Sequence, residues 1–291
     1  MTLLDTLVAN PAFAICFSGV LGLIVGSFLN VVILRLPPLM EWTWRQEAHE
    51  ILAEGQENPE AKLKPPGIVR EPSHCPCCER ALKWWHNVPL VSFLALRGRC
   101  GSCKAPISWQ YPLVEAATAL LFVMCTALFG VSLYAITAWV FCALLLALAA
   151  IDARTTWLPD SLVFPLLWLG LAVAALELPG AIAPAQAIGG AMAGYLSLWG
   201  ANWLFRLIRK KEGMGYGDFK LLAALGAWCG PAAILPIVLV STVFGATIGG
   251  LWLARRSQSA SQPFAFGPFL VAAGFVEFFW RTGILRTLGM T

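Results

Sequence analysis

Apolar residues fall in long stretches along this chain, near 12–34, 113–130, 133–151, 161–178, 182–205, 220–235, 236–254 and 264–285. A helix crossing a bilayer needs about 20 such residues in succession, and several of these stretches are long enough. The 220–254 region is ambiguous, because Gly230, Pro231 and Pro236 either turn between two short spans or kink one longer helix. The pattern predicts an all-α integral membrane protein with about eight transmembrane helices, seven if that region forms a single helix. One sizeable polar segment, after the first span, predicts a small cytoplasmic insert. The expected division is a first helix over 1–34, an insert over 35–112 and a polytopic membrane core over 113–291.

Composition strengthens the membrane reading. The 291 residues are 58% hydrophobic and 12% charged, whereas soluble domains carry about 25% charged residues. Too little polar surface remains to face water, so the lipid bilayer is the expected surroundings and no nucleic-acid partner is expected. Lys and Arg accumulate in inward loops because they resist translocation. With eight spans, 18 of the 20 basic residues fall on one side: those of 35–111, Arg154, Arg206, Arg209, Lys210, Lys211, Lys220, Arg255 and Arg256. Only Arg281 and Arg286 fall opposite, which places both termini outside and the polar insert in the cytoplasm. The N-terminus, MTLLDTLVAN, lacks a basic n-region and reads as leading into a retained span rather than a signal peptide. No internal repeat is evident.

The insert opens with EWTWRQEAHEILAEGQENPEAKLK, a charged, helix-prone stretch that reads as a solvated or interface-lying helix. Beyond it, Cys75-x-x-Cys78 and Cys100-x-x-Cys103 pair two thiol turns across 21 residues. Two such knuckles close a four-sulfur zinc site. Disulfides are the alternative, disfavoured in a reducing cytoplasm. Cys77 and His74 adjoin the first knuckle and are possible substitute ligands. Cys16, Cys125, Cys142 and Cys229 lie in apolar spans and read as small core or lipid-facing residues. A closed four-cysteine site stabilises a small module rather than catalysing.

Two acids lie at the ends of apolar runs: Asp152 closes WVFCALLLALAAID, and Asp218 follows the glycines of EGMGYG. Eight spans put both at cytoplasmic helix ends. A carboxyl placed there needs a partner or a task. If the two approach within a few ångströms they share a proton, and one can activate water while the other polarises a carbonyl. Gly213, Gly215 and Gly217 would leave room for an extended peptide beside Asp218. The structural alternatives are an ion pair of Asp152 with Arg154, Arg206 or Lys220, and Asp218 as a helix N-cap. Asp160 suits the N-cap of the following span. Glu115 is a buried polar residue of uncertain purpose, and Glu177 and Glu277 read as interfacial.

In order along the chain stand GLIVGSFLNVVILRLP (22–37), the two CxxC knuckles, NVPLVSFLALRGRCGSCKAPIS (87–108), YPLVEAATALL (111–121), IDARTTWLPD (151–160), GMGYGDFKLLAALGAW (213–228) and FAFGPFL (264–270). Together these segments resemble the type IV prepilin peptidases, the bifunctional leader peptidase/N-methyltransferases of bacterial pilus and type II secretion systems. They are similar in turn to GxGD intramembrane aspartyl proteases. An Ala stands before Phe266-Gly267-Pro268 where proline is common. The resemblance implies that Asp152 and Asp218 are the catalytic pair and that Cys75, Cys78, Cys100 and Cys103 bind a structural zinc. It implies an inner-membrane enzyme, active toward the cytoplasm. Its substrates would be prepilins or pseudopilins, cut after a glycine that ends a basic leader. The new N-terminal residue, typically Phe, would then be methylated from S-adenosylmethionine. No Rossmann-type glycine fingerprint marks the methyl-donor site. The resemblance points instead to Gly98 and Arg99 beside Cys100, with Glu115 a further candidate.

Two other classes remain in view from the residues alone. A transporter or channel would use the aspartates as ion sites, with the insert as a metal sensor. A secretion-machine scaffold would carry an inactive site, against which the intact Asp152 and GxGD stand.

Overall fold

The computed structural model describes residues 3–52, 64–69, 71–210, 213–256 and 264–280. Lys62, Arg70, Lys211, Arg281 and Arg286 of the charge count, with residues 53–63 of the charged stretch and the end of the last apolar run, lie outside the described residues. Ten α-helices are described: α1 (Leu3–Ala9), α2 (Pro11–Leu52), α3 (Val91–Ala95), α4 (Gln110–Phe129), α5 (Leu133–Thr155), α6 (Asp160–Ala175), α7 (Pro184–Arg209), α8 (Tyr216–Cys229), α9 (Ile234–Arg256) and α10 (Gly267–Phe279). No strand occurs among the described residues, only two isolated bridges, His74 with Ala81 and Arg99 with Pro106.

Each of the eight apolar stretches forms a helix, but length separates them. Four helical segments are long and apolar enough to cross a membrane: Pro11–Leu52, Gln110–Phe129, Leu133–Thr155 and Pro231–Gly249. Helices α6 and α10 are apolar but shorter. In α7, Gln186, Ser197, Asn202, Arg206 and Arg209 dilute an otherwise sufficient length. The 14 residues of α8 reach only about 21 Å at 1.5 Å per residue, against a hydrocarbon core about 30 Å thick. Every residue from Leu221 to Gly230 is buried, so protein rather than lipid surrounds this short helix. The uncertainty over 220–254 resolves as a turn. Gly230 takes φ 82°, Pro231–Ala233 makes a single 3-10 turn, and Pro236 sits in the first turn of α9, where its missing N–H costs nothing.

The chain forms two compact units. The first, residues 1–14 and 124–291, centres on α8, which packs against α6, α7 and α10. Phe141 of α5, Trp228 of α8 and Phe278 of α10 form an aromatic cluster, with ring centroids of Phe141 4.6 Å from Trp228 and 4.5 Å from Phe278. The Trp228 indole N–H donates to the carbonyl of Leu166 in α6 (3.0 Å), so its one polar atom is satisfied in the core. Cys125, Cys142 and Cys229 are buried here, as expected of small core residues, while Cys16 of the second unit is exposed.

The second unit, residues 15–123, contains α3, most of α2 and most of α4. Helix α2 does not stop at residue 34; it continues through Pro37 and Pro38 into the charged stretch as far as Leu52. The two prolines withdraw the donors that Ile33 and Leu34 would otherwise meet, yet the helix runs on through both. Asn30, fully buried, donates to the carbonyls of Tyr111 (3.1 Å) and Gly26 (3.3 Å) and so ties α2 to α4.

Candidate active site

Asp152 lies in the last turn of α5, 4% exposed, where the helix ends on Thr156 in the left-handed conformation (φ 57°). The Thr156 N–H donates to the Asp152 carbonyl and closes that turn. Asp218 lies in the first turn of α8, three residues after the N-cap Gly215, so it is not itself the cap. The fold brings the two carboxyls, 66 positions apart in sequence, close enough for their charges to interact.

A third helix end completes this geometry. Helix α10 packs against both α5 and α8, and the Gly267 N–H at its head donates to Oδ2 of Asp152 at 2.9 Å. Pro268 follows and has no N–H to offer. A Cβ on Gly267 would stand 2.7 Å from that same oxygen. Gly267 belongs to FAFGPFL, yet nothing in the local sequence ties it to a carboxylate 115 residues earlier; only the FGP tripeptide at a helix start hints at it.

The expected structural partners of the aspartates resolve differently. Lys220 pairs with Asp160 at 2.8 Å and lies over the Phe164 ring at 5.3 Å, joining α8 to α6 rather than meeting Asp152. Asp160 is consequently not an N-cap; Pro159 holds that position, and the Asp160 carboxylate is drawn to the ammonium. The glycines before Asp218 also divide. A Cβ on Gly217 would meet Leu158 at 2.9 Å and one on Gly213 the Phe205 ring at 2.7 Å, whereas Gly215 has nothing within 4 Å. Two of the three thus permit helix packing, and Gly215 alone faces open space.

In the second unit, the sulfurs of Cys75, Cys78, Cys100 and Cys103 all lie within 4.8 Å of one another. Cys77 is exposed, and His74 stays outside this group. The two knuckles follow one plan, a short internal repeat that the sequence conceals because most of its side chains differ. The N–H of Cys75 bonds to the carbonyl of Arg80 and that of Cys100 to Ala105. Glu79 and Lys104, both at positive φ, donate back to Cys75 and Cys100. Leu82 to Ser73 and Ile107 to Gly98 close the outer pair. The N–H groups of Cys103 and Ser102 hold the Cys100 thiol down to about 6. Cys103, although it receives the Ala105 N–H, is pushed up to about 12 by burial and by the other three sulfurs. Four thiolates so close repel one another unless a cation sits among them, so the donor set fits a divalent metal.

Gly98 takes φ 68° beside the Phe93 ring, and Arg99 beside it is exposed. Glu115, buried on α4, accepts the N–H of Leu90 at 2.8 Å, and Leu90 itself adopts φ 56°. Its carboxylate pairs the amide of a turn held at positive φ.

The chain is similar to known proteins along nearly its whole length. A model of the bacterial peptidase A24 N-terminal domain matches residues 20–129, and one of the type IV leader peptidase family matches residues 139–250. The chain is 48% identical to the prepilin leader peptidase/N-methyltransferase of Xanthomonas campestris pv. campestris, over 97% of this chain and 98% of the relative. It is 48% identical to the protein of that name from Pseudomonas aeruginosa, over 99% and 97% of the two chains. The Stutzerimonas stutzeri relative is 46% identical over 96% and 95%. No solved structure matches the chain.

Proposed function

The chain belongs to the type IV leader peptidase family, and from that membership we propose that it removes the leader of type IV prepilins and then methylates the new N-terminus. The observation that supports the peptidase half is that Asp152 and Asp218, at the ends of α5 and α8, lie within electrostatic reach of each other. Two carboxyls brought within a few ångströms of each other share one proton. One takes a proton from water as its oxygen attacks the scissile carbonyl, and the other gives its proton to the carbonyl oxygen. Collapse of the diol breaks the C–N bond, and the amine leaves with the proton taken from water.

In this reading α2 makes the first crossing and the membrane core over 113–291 makes seven more with α4 to α10, the short α8 crossing inside the protein rather than against lipid, and the insert over 35–112 is cytoplasmic. The charge asymmetry supports it, since 18 of 20 basic residues fall on one side. Both aspartates then face the cytoplasm of the inner membrane, where a basic leader would remain while the pilin's apolar helix stays in lipid. Cys75, Cys78, Cys100 and Cys103 hold a structural zinc. S-adenosylmethionine would supply the methyl group, and the exposed Arg99 beside Gly98 has the charge to hold its carboxylate.

Mass spectrometry of a prepilin co-expressed with the enzyme tests both halves at once, reporting leader loss and an added methyl group. Asp152→Asn and Asp218→Asn should each abolish cleavage. Cleavage retained in either variant overturns the assignment of the pair. Ion flux in proteoliposomes without processing would favour the transporter class.

A further inference from the structure

We propose that Gly267 is a positioning residue: its N–H fixes Asp152 as the carboxylate that takes the proton from water, leaving Asp218 to donate to the scissile carbonyl oxygen. This rests on the reading of Asp152 and Asp218 as the catalytic pair and adds a division of labour that the pair alone does not contain.

Both carboxyls lie at helix ends, but the two ends differ. Asp218, in the first turn of α8, sits where a helix favours negative charge diffusely. Asp152 sits at the opposite, unfavourable end of α5, almost fully buried. A carboxylate held there needs a directed donor, and α10 supplies one. Gly267 is the first residue of that 13-residue helix; its N–H has no partner within the helix and points at Oδ2 of Asp152. Pro268 next to it has no N–H, so Gly267 is the donor that this end of α10 presents. An N–H aimed at one oxygen favours the ionised form of the carboxyl and occupies that oxygen. Oδ2 is therefore fixed and Oδ1 is left free to face water, the arrangement a general base requires.

The absence of a side chain at 267 follows from the same contact. A Cβ would come within 2.7 Å of Oδ2, 3.1 Å of Cγ and 3.3 Å of Cβ of Asp152, so its three nearest neighbours all belong to that one carboxyl-bearing side chain. Charged and titratable groups stand on the helices packed nearby. Asp218 interacts from α8, Arg154 lies two residues on in α5, and Asp160 of α6 is engaged by Lys220. From α10 the contact is the uncharged N–H.

The step balances in atoms and charge. Asp152 gains the water proton as the water oxygen bonds to carbon, and Asp218 loses its own to the carbonyl oxygen. On collapse of the diol, Asp152 returns its proton to the leaving nitrogen and Asp218 recovers one from the hydroxyl. Both carboxyls end as they began.

The test compares full-length wild-type enzyme with Gly267→Ala on a prepilin peptide across pH, with methylation of a pre-cleaved pilin peptide as the measure of intact fold. The variant should keep methyl transfer, keep KM within about twofold, and lose roughly 10- to 100-fold in kcat. The acid limb of its profile should move to higher pH by roughly one unit, since a carboxylate that has lost its donor is protonated more readily. Movement of the basic limb instead would make Asp152 the proton donor and overturn the assignment; wild-type kinetics would overturn the positioning role. If the variant loses methyl transfer as well, the wild-type enzyme with ¹³C-labelled aspartate carboxyls decides. Assigned with Asp152→Asn and Asp218→Asn, the signal that ionises at lower pH must be Asp152, and the reverse order refutes the proposal. Cleavage by either Asn variant would instead remove the catalytic pair itself.

Discussion

Gly190 of α7 and Gly226 of α8 touch backbone to backbone: a Cβ built on either would overlap the carbonyl oxygen of the other. One turn along, a Cβ on Gly194 would stand 2.5 Å from the carbonyl oxygen of Leu222. This contact sets how deeply α8, and with it Asp218, is seated. Small residues let membrane helices approach until their backbones meet. Gly226→Val should therefore force the helices apart, at the roughly 1–3 kcal/mol typical of overpacking or more. Thermal unfolding in detergent should show a lower midpoint and cleavage should fall. Gly200→Ala, in α7 with nothing within 4 Å, is the control and should be neutral or slightly stabilising.

The four-cysteine cluster predicts one zinc ion per chain, read by elemental analysis of purified protein. Cys100→Ser should lose the ion and lower the thermal midpoint, because metal affinity contributes directly to folding of the module that binds it. Peptidase activity should fall only in step with the folded fraction, since the proposed chemistry uses Asp152 and Asp218. Affinity should weaken as pH falls, since protons compete for the sulfurs. Full cluster occupancy in the Cys100→Ser protein would count against the site.

The pair of Lys220 with Asp160 is partly exposed, 28% and 50% by side chain. Such pairs contribute about 0–1 kcal/mol. Lys220→Ala should leave cleavage within about twofold of wild type, although Lys220 lies two residues from Asp218. A hundredfold loss would mean that the ammonium acts on the catalytic pair after all.

Much of this could be read from the chain. The eight apolar stretches form helices, and the CxxC spacing brings four sulfurs together, because both signals are local. What stays hidden depends on tertiary contact. The Gly267 N–H reaches Asp152 from 115 residues away. The knuckles repeat in backbone pattern while their residues differ, CPCCERAL against CGSCKAPI. Asp160 looks like a cap because the proline before it marks a helix start; Lys220, 60 residues on, decides otherwise. Helix α8 reads as a span by composition, and only its neighbours show that protein encloses it.

Glu115 offers a separate test of the second unit. Removing it leaves the Leu90 N–H unpaired in a turn already at φ 56°, a loss of about 1 kcal/mol for a half-buried donor left unsatisfied. Glu115→Gln keeps a carbonyl oxygen for that N–H and should stay close to wild type in thermal unfolding. Glu115→Val should not. Equal midpoints for the two variants would show that the hydrogen bond is not what the carboxyl contributes.

The glycines of GMGYGD give the last prediction, because the fold divides them. Gly217 is closed in by Leu158, whose Cβ would lie 2.9 Å from a Cβ at position 217, while Gly215 opens onto space and has an ordinary φ of −74°. Gly217→Ala must displace Leu158 or the start of α8, and so should lower the thermal midpoint together with kcat. Gly215→Ala has neither a clash nor a forbidden backbone angle to overcome, so its midpoint should match wild type within about one degree. If extended substrate runs past this turn, the added methyl group meets the substrate instead of the protein. The effect should then appear as a raised KM for prepilin with kcat little changed. A Gly215→Ala enzyme with wild-type KM would place the peptide elsewhere, and a destabilised one would show that Gly215, like Gly213 and Gly217, is there for packing.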